Sequence, residues 1–128
     1  MAKSLLRAES KTKIGEYWNI PTLIDHIINE EVFAFQQTES DVFGVMHFSF
    51  SPLAKTLNVF WLGKDSDNPT PPDWEEVVAF LEYTAKNNGC KFVQCECRPG
   101  WKAILEPLGY SVDSVLFTKE VLYESAPV

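Results

Sequence analysis

The chain has 128 residues, of which 45% are hydrophobic and 13% are aromatic. This length accommodates one hydrophobic core but not two ordinary domains, and this composition is typical of a packed globule and excludes a largely disordered chain. No apolar run approaches the roughly 20 residues that span a bilayer, and the first residues lack a secretory-signal pattern, so we expect a cytoplasmic protein with no membrane partner.

The net charge of −7 is distributed unevenly along the chain. The first thirteen residues contain four basic side chains and one acidic side chain, which gives this segment +3 and leaves −10 on the remainder. A body with this charge repels nucleic acid, and only the basic arm at 1–15 could face a phosphate backbone or an acidic partner. A solvated terminus is the more frequent reason for such an arm.

The N-terminal half predicts one helix followed by three strands. The helix has a single apolar stripe at helical spacing, formed by Ile20, Leu23, Ile24, Ile27 and Ile28. We expect strands at 32–37, 42–50 and 56–63, because each is rich in β-branched or aromatic residues and is bounded by turn residues. The third strand is nearly apolar, which is typical of burial on both faces. Together the strands predict an antiparallel meander.

The loop at 64–73, rich in proline and aspartate, leads into a second helix that begins after Asp73. Glu76 completes a capping-box spacing with Asp73. The buried stripe of this helix comprises Trp74, Val77, Val78, Leu81 and Ala85. Gly89 ends the helix, and residues 92–97 predict a fourth strand. The order strand, helix, strand predicts that the third and fourth strands are parallel neighbours in one sheet.

The C-terminal part predicts a short helix at 101–109, which Gly109 ends, and then one or two strands at 110–123. We therefore expect a single domain at 16–122 and a short tail at 123–128.

Three cysteines are an odd number and do not form a disulfide framework, so we expect reduced thiols. Cys95 and Cys97 alternate with Glu96, so both thiols should lie on one face of the fourth strand, about 6.6 Å apart. Cys90 and the two histidines add no zinc-ligand spacing, and we predict no metal site. Packing against a helix is the favoured interpretation of these thiols, because a cysteine nucleophile would also need a partner base.

The element order and the segment "NNGCKFVQCECRPGWKAILEPLGYSVDSVLFTKEV" resemble the GNAT acyltransferase superfamily. In that family a Gly-Cys or Gly-aromatic pair ends the central helix, and a Leu-Gly-Phe or Leu-Gly-Tyr motif ends the next one. Here these motifs are Gly89-Cys90 and Leu108-Gly109-Tyr110. In detail the segment is most similar to small GNAT-like proteins of tailed bacteriophages, in which a Gly-Trp pair opens the last helix. The resemblance implies an α/β (α+β) fold with a GNAT-like mixed sheet, in which an antiparallel meander and a parallel strand pair are flanked by helices.

The resemblance also implies that acetyl-CoA binds where the two parallel strands separate. The pantetheine arm would pair with the backbone of the third strand, and the pyrophosphate would lie at the N-terminus of the following helix, where amide groups and the helix dipole attract anions. The matching and lining positions are Trp61, Leu62, Gly63, Lys64, Trp74, Arg98 and Trp101. For the last two residues a second interpretation is open: Trp101 covers the core and Arg98 is solvated or paired with a carboxylate.

Two features depart from the family pattern. The phosphate loop has one glycine instead of several, and its carboxylates, including Asp65 and Asp67, oppose a pyrophosphate by roughly 1 kcal/mol per 4 Å pair in water. Leu105 occupies the position at which many relatives carry a tyrosine that protonates the leaving thiolate. His47 and Glu96 are the candidates for the general base by strand position, with a packing role for His47 and a solvated role for Glu96 as the alternatives.

Two functions are therefore open. The first is an acetyl-CoA-dependent N-acyltransferase with a non-standard phosphate loop, which acts on a small-molecule or protein amine. The second is a non-catalytic GNAT-fold phage protein, in the virion or the host cytoplasm, which binds a protein partner through its acidic loop or basic arm.

Overall fold

The computed structural model describes residues 19–123. In chain order its elements are helix α1 (Ile20–Ile28), strands β1 (Phe33–Gln37), β2 (Val42–Ser51) and β3 (Ala54–Lys64), helix α2 (Trp74–Asn87), strand β4 (Phe92–Cys95) and helix α3 (Lys102–Leu105). One turn of 3-10 helix precedes α3 at Pro99–Trp101, and another follows it at Glu106–Leu108. The predicted basic arm and most of the predicted tail lie outside the described residues. No helix in the described part is long and apolar enough to cross a membrane.

The four strands form one mixed sheet in the order β1-β2-β3-β4. β1 pairs with β2 and β2 pairs with β3 in antiparallel fashion, whereas β3 and β4 are parallel. The parallel pair follows from the crossover through α2, because two parallel strands cannot be joined by a tight turn. The predicted meander, the predicted parallel pair and the predicted fold class are all confirmed.

The sheet has a hydrophobic core on each face. On the α1 side the buried residues are Leu23, Val32, Phe43, Val45 and Trp61. On the α2 side they are Met46, Leu57, Val59, Val77, Leu81 and Ala85. Strand β3 contributes to both cores, which is why its sequence is nearly apolar and lacks the alternation of a strand with one wet face.

Both long helices begin at the residues that the sequence indicates. The Asn19 side chain accepts a hydrogen bond from Thr22 N at 2.9 Å and caps α1, and Asp73 caps α2 in the same way. Gly89 adopts a left-handed φ of 69° after α2, as a helix end requires. Ile28, predicted to belong to the buried stripe of α1, is 71% exposed, because it is the last helical residue and lies beyond the core that Leu23 shares with the sheet.

The C-terminal third differs from the prediction. Strand β4 ends at Cys95, two residues early, because Pro99 lacks an amide donor and starts a 3-10 turn close behind it. Residues 110–123 form no strand in the described chain, and residues 111–123 are exposed throughout. Their alternating apolar pattern satisfies the sequence criterion for a strand, but a strand also needs a hydrogen-bonding neighbour, and none of the described strands lies beside them.

Candidate functional site

The parallel strands β3 and β4 separate after a short pairing. Their register runs from Thr56 opposite Phe92 to Val59 opposite Cys95. One further bond joins Glu96 N to Val59 O at 2.9 Å. Beyond this level β3 continues to Lys64, whereas the segment after β4 enters the 3-10 turn at Pro99–Trp101. The sheet therefore opens between β3 and that segment. Crevices at the carboxyl ends of parallel strands are the usual ligand sites of open α/β sheets.

A β-bulge in β3 lies at the same level. Val45 is opposite Trp61 and the next residue, Met46, is opposite Val59, so Phe60 is the extra residue in β3. A bulge bends its strand and increases the local twist. The divergence of β3 from β4 is therefore built into the backbone of β3.

Two hollows flank α3 next to this opening. The first has a volume of about 480 Å³ and is lined by Arg98, Gly100, Trp101 and Ile104. The second has a volume of about 490 Å³ and is lined by Pro71, Pro72, Asp73, Trp74, Glu75, Ile104, Pro107 and Leu108. The rings of Trp74 and Trp101 meet edge to face with centroids 4.8 Å apart and join the two walls. The structure thus brings Trp74, Arg98 and Trp101 together, and each hollow has the size of a small-molecule site.

The loop that follows β3 binds its own polar groups. Asp67 N donates to Asp65 Oδ1 at 2.9 Å, and Thr70 N donates to Asn68 Oδ1 at 2.9 Å. The Lys64 ammonium donates to Asn68 O at 2.8 Å and to Asp65 O at 3.3 Å. These amides and this ammonium are the groups that would contact a phosphate in this loop, and they already have oxygen partners.

The same loop is fixed against the turn between β1 and β2. Asn68 Nδ2 donates to Glu39 O at 3.0 Å and to Asp41 Oδ2 at 2.8 Å. Asp65 N donates to Asp41 O at 3.2 Å. Because these bonds hold residues 65–68 against the turn, this part of the loop does not fold over the opening between β3 and β4.

The N-terminus of α2 is occupied by protein oxygens as well. Asp73 Oδ1 accepts from Glu76 N at 3.1 Å. Gln37 Oε1 accepts from Asp73 N at 3.0 Å, and Gln37 Nε2 donates to Asp73 O at 3.0 Å and to Glu76 Oε1 at 3.2 Å. Ser40 Oγ completes the cluster by donating to Gln37 Oε1. The predicted capping box is present in half, and Gln37 replaces its reciprocal half.

The opening and the loop beside it therefore fit one end of acetyl-CoA, the molecule that the resemblance implies, better than the other. The opening beside Leu62 and Gly63 suits an extended arm that pairs with a strand edge. The loop and the start of α2 do not suit the pyrophosphate, because the cap of Asp73 and the loop oxygens already satisfy amide donors there. Arg98, which is exposed beside the first hollow, is the described cation best placed for an anionic group.

A row of polar side chains crosses the sheet on the α1 side. His47 is opposite Asn58 in the register of β2 and β3, and Asn58 is opposite Gln94 in the register of β3 and β4. The amide of Asn58, which is only 7% exposed, donates to Ser49 Oγ at 2.7 Å. No sequence motif marks Ser49, Asn58 or Gln94, and the signal that could have found them is a set of polar residues on one face of central strands.

The two candidate bases lie on opposite sides of β3. The His47 ring is half-buried and contacts Phe60 at the bulge, with centroids 5.0 Å apart. Glu96 follows β4 and is exposed. Because two strand spacings of about 4.8 Å separate β2 from β4, the structure does not bring His47 and Glu96 together. Trp61 is 1% exposed and belongs to the α1-side core, so its ring does not line the opening.

The thiols of Cys95 and Cys97 have raised pKa values and are therefore poor nucleophiles. Cys95 packs against the α2-side core, and burial, with the nearby charge of the Cys97 thiolate, raises the pKa of Cys95 to about 12. Cys97 lies outside the strand and is exposed, so the predicted pair on one strand face is wrong, because β4 ends first. Burial also raises the pKa of Tyr110, and the neighbouring Cys95 raises it further.

The chain was compared with family profiles, with curated proteins and with solved structures. No protein-family profile matches the chain, and no curated protein matches it. Solved structures do match. A GNAT family acetyltransferase from Staphylococcus aureus superposes with a TM-score of 0.65 at 14% identity, over 93% of this chain and 85% of that one. Glucosamine-6-phosphate N-acetyltransferase from Arabidopsis thaliana gives 0.61 at 19% identity, over 77% and 74% of the two chains. The BH1408 protein from Bacillus halodurans, as a tetramutant, gives 0.63 at 13% identity, over 82% and 76%.

These similarities establish the fold. The mixed sheet with its flanking helices is the fold of GNAT acetyltransferases. At identities below one fifth the comparison carries no residue role, and the fold alone does not fix the reaction. The predicted GNAT-like fold is confirmed, whereas the finer similarity to phage proteins gains no support.

Proposed function

We propose that the chain is a GNAT-type N-acyltransferase that transfers the acyl group of acetyl-CoA to an amine. One observation carries the proposal: β3 leaves β4 after Val59 at the level of the bulge at Phe60, which opens the sheet between two parallel strands. Acetyl-CoA would supply the acyl group as a thioester in this opening. The chemistry that follows depends on the residues around it.

The donor would be held mainly through its arm. The backbone of Leu62 and Gly63 borders the opening, Trp101 forms one wall of the adjacent hollow, and Arg98 offers a guanidinium to an anionic group. The loop after β3 would add little, because its donors already have partners. We infer that this enzyme holds acetyl-CoA less tightly than an enzyme with a glycine-rich phosphate loop would.

The acceptor amine would approach from the α1 side of the sheet. There the amine nitrogen would attack the thioester carbonyl, so that a C–N bond would form, the C–S bond would break, and the amine would lose a proton. His47 is the candidate that accepts this proton, because its ring lies at the bulge beside Phe60. Asn58 and Gln94 are placed to orient a polar acceptor on the same face. Leu105 has no proton to give, so the leaving thiolate would take its proton from water.

Isothermal titration of the full chain with acetyl-CoA and with free CoA tests the proposal. We expect binding at micromolar to high-micromolar concentration, and release of CoA when a panel of primary amines is added, followed by chromatography. A folded protein that gives no heat with millimolar acetyl-CoA would falsify the enzyme. Circular dichroism on the same sample establishes that the protein is folded.

The satisfied loop favours a second candidate function. A GNAT-fold protein that has lost catalysis would keep the sheet and need no free amides for a phosphate, as observed around Asp65, Asn68 and Asp73. We propose as this alternative a non-catalytic module, as the resemblance to phage proteins implies, that binds a protein partner. Its acidic loop suits a basic partner. The same titration separates the candidates, because the module binds neither acetyl-CoA nor CoA.

A further inference from the structure

The end of the sheet at which β3 and β4 begin carries aromatic rings that the described helices do not cover. Phe50 near the end of β2 is 76% exposed, and Phe33 at the start of β1 is 38% exposed. Phe48 lies on the same face of β2 as Phe50, and its ring centroid is 5.7 Å from that of Phe33. Leu53 in the connection from β2 to β3 is 90% exposed. Apolar side chains that are exposed together, and not singly, are typical of a contact surface.

Two lysines adjoin these rings. The Lys55 ammonium lies 4.5 Å from the centroid of the Phe48 ring and 5.4 Å from that of Phe50, and the Lys91 ammonium lies 5.4 Å from that of Phe92. Lys91 N donates to Lys55 O at 2.8 Å, so the two lysines are neighbours where the parallel pair begins. Each ammonium is held beside a ring and keeps hydrogen-bond donors for a ligand. The aromatic–lysine patch consists of Phe33, Phe48, Phe50, Lys55 and Lys91.

The aromatic–lysine patch is basic in a chain that is acidic overall. The net charge is −7, yet residues 42–64 and 83–95, which include β2, β3 and β4, contain no carboxylate. Among residues 19–123 neither Lys55 nor Lys91 pairs with a carboxylate. Glu31 precedes β1 at the same end of the sheet, but it contacts His26 of α1. The two like charges on neighbouring strands repel each other, and a bound anion would relieve this repulsion.

From these observations we infer that the aromatic–lysine patch binds an acidic segment of a partner protein. Carboxylates of the segment contact Lys55 and Lys91, and a large apolar side chain of the segment packs on Phe50. The charge of the patch complements such a segment, and aromatic residues are enriched in protein interfaces. A short peptide segment suits the patch better than a nucleic acid does, because a long polyanion would also meet the acidic remainder of the chain.

The aromatic–lysine patch is separate from the opening in which acetyl-CoA would bind. Lys55 and Lys91 precede the paired run of β3 and β4, whereas the sheet opens after Val59 and Cys95 at the other end of that run. Binding at the patch is therefore independent of catalysis, and a chain without affinity for acetyl-CoA would keep it.

Titration of the full chain with a synthetic peptide tests the patch. The probe is a short fluorescent peptide that contains glutamate and phenylalanine in equal number, and binding is followed by anisotropy and by amide chemical shifts in NMR. We expect saturable binding at high-micromolar concentration that weakens with added salt, with the largest shifts at residues 48–55 and 90–92. Peptides with lysine in place of glutamate, or with alanine in place of phenylalanine, should bind about tenfold more weakly.

Charge reversal in the patch has a matched control. Lys91→Glu and Lys102→Glu each replace an exposed lysine and change the net charge equally. Lys91→Glu should weaken peptide binding about tenfold, whereas Lys102→Glu on α3 should leave it within about twofold. Circular dichroism establishes that both variants are folded, and the NMR shifts of the unaltered chain locate the peptide without any variant.

Four results would overturn the inference. Equal binding to both reversal variants, or shifts at the opening after Val59 and not at the patch, would place the peptide elsewhere. Tighter binding of single-stranded DNA or of anionic vesicles than of the acidic peptide would assign the patch to another class of anion. A concentration-dependent dimer whose shifts map to the patch would identify a second copy as its occupant. No saturable binding at millimolar peptide would show that the rings and lysines only pack against one another.

Discussion

Gln37 and Asp73 are joined by two hydrogen bonds that run in opposite directions. The side-chain oxygen of Gln37 accepts from Asp73 N at 3.0 Å, and its nitrogen donates to Asp73 O at 3.0 Å. The pair fixes the end of β1 to the first turn of α2 across 36 residues of chain. The same pair occupies the start of α2, where a GNAT enzyme would bind a pyrophosphate.

Replacing Gln37 by alanine should lower the free energy of unfolding by about 2 kcal/mol. The side chain is 8% exposed, and its loss removes the partner of Asp73 N and one of the two donors to Asp73 O, which still accepts from Val77 N, in a partly buried place. Urea denaturation measures the change. Gln36→Ala is the matched control, because the Gln36 side chain is exposed and donates to Asp41 in the turn, and it should cost less than about 0.5 kcal/mol. Equal costs for the two variants would contradict the proposed role of Gln37.

Removing loop charge should strengthen any binding of acetyl-CoA. The double variant replaces Asp65 and Asp67 by asparagine. The side-chain amide oxygen at position 65 can still accept the hydrogen bond from the backbone N–H of residue 67, so the loop keeps its shape while two charges are lost. Roughly 1 kcal/mol of lost repulsion corresponds to about fivefold tighter binding by titration calorimetry.

The control for this pair also removes two charges. Asp25→Asn with Glu30→Gln changes exposed carboxylates on and after α1, away from the opening, and should leave affinity within about twofold. Unchanged affinity in the loop variant would show that the loop charges do not act on the ligand.

Arg98→Ala should weaken acetyl-CoA binding about tenfold. A charge-assisted hydrogen bond to an anionic ligand contributes roughly 1.5 kcal/mol or more. Lys102→Ala is the control, because Lys102 is a nearby exposed cation on α3 that pairs with Glu106 at 3.5 Å. If both variants bind equally well, Arg98 is not part of the site, and its solvated alternative is correct.

The protein should lose stability as pH rises from about 9 toward 12. The pKa of Cys95 rises from 9.0 to about 12 on folding, chiefly through burial, so the folded state holds this proton more tightly than the unfolded state. The resulting stabilisation is complete below pH 9 and disappears as the pH passes the folded pKa. Melting temperatures across this range measure it, and Cys95→Ala should flatten the decline. A decline of the same steepness in that variant would assign it to other groups.

Gly44→Ala should destabilise the fold by about 1–3 kcal/mol. Gly44 is opposite Phe35 in the register of β1 and β2, and the Phe35 ring lies over it, so an added methyl group would overlap the ring. The ring cannot move away freely, because it packs against Phe80 with centroids 5.6 Å apart. In a Phe35→Leu background the same change should cost less, and a double-mutant cycle by urea denaturation measures the coupling. Additive effects would show that the ring is not the obstacle.

The sequence predicts well whatever depends on neighbours in the chain. The stripe of α2, the cap at Asp73 and the left-handed Gly89 follow from local rules and are confirmed. The crossover rule also places β3 beside β4 correctly. The site is harder, because Gln37 reaches Asp73 and Asn58 faces both Ser49 and Gln94 only after strands from distant parts of the chain have paired. Residues 110–123 show what a local pattern cannot predict, since their alternation specifies a strand but not the strand with which it pairs.

The bulge at Phe60 also fixes the register in which β2 and β3 pair. β2 and β3 pair along Val42 to Ser51 and are joined by a tight connection at Pro52 and Leu53, so a slipped hairpin would be easy to form. Without the extra residue between them, Val59 and Trp61 would be two residues apart in a regular strand and would lie on the same face, so one core would lose its side chain and the other would receive both. The side-chain volumes that each core accepts therefore select the correct register. The bulge that opens the sheet is also the feature that sets this register.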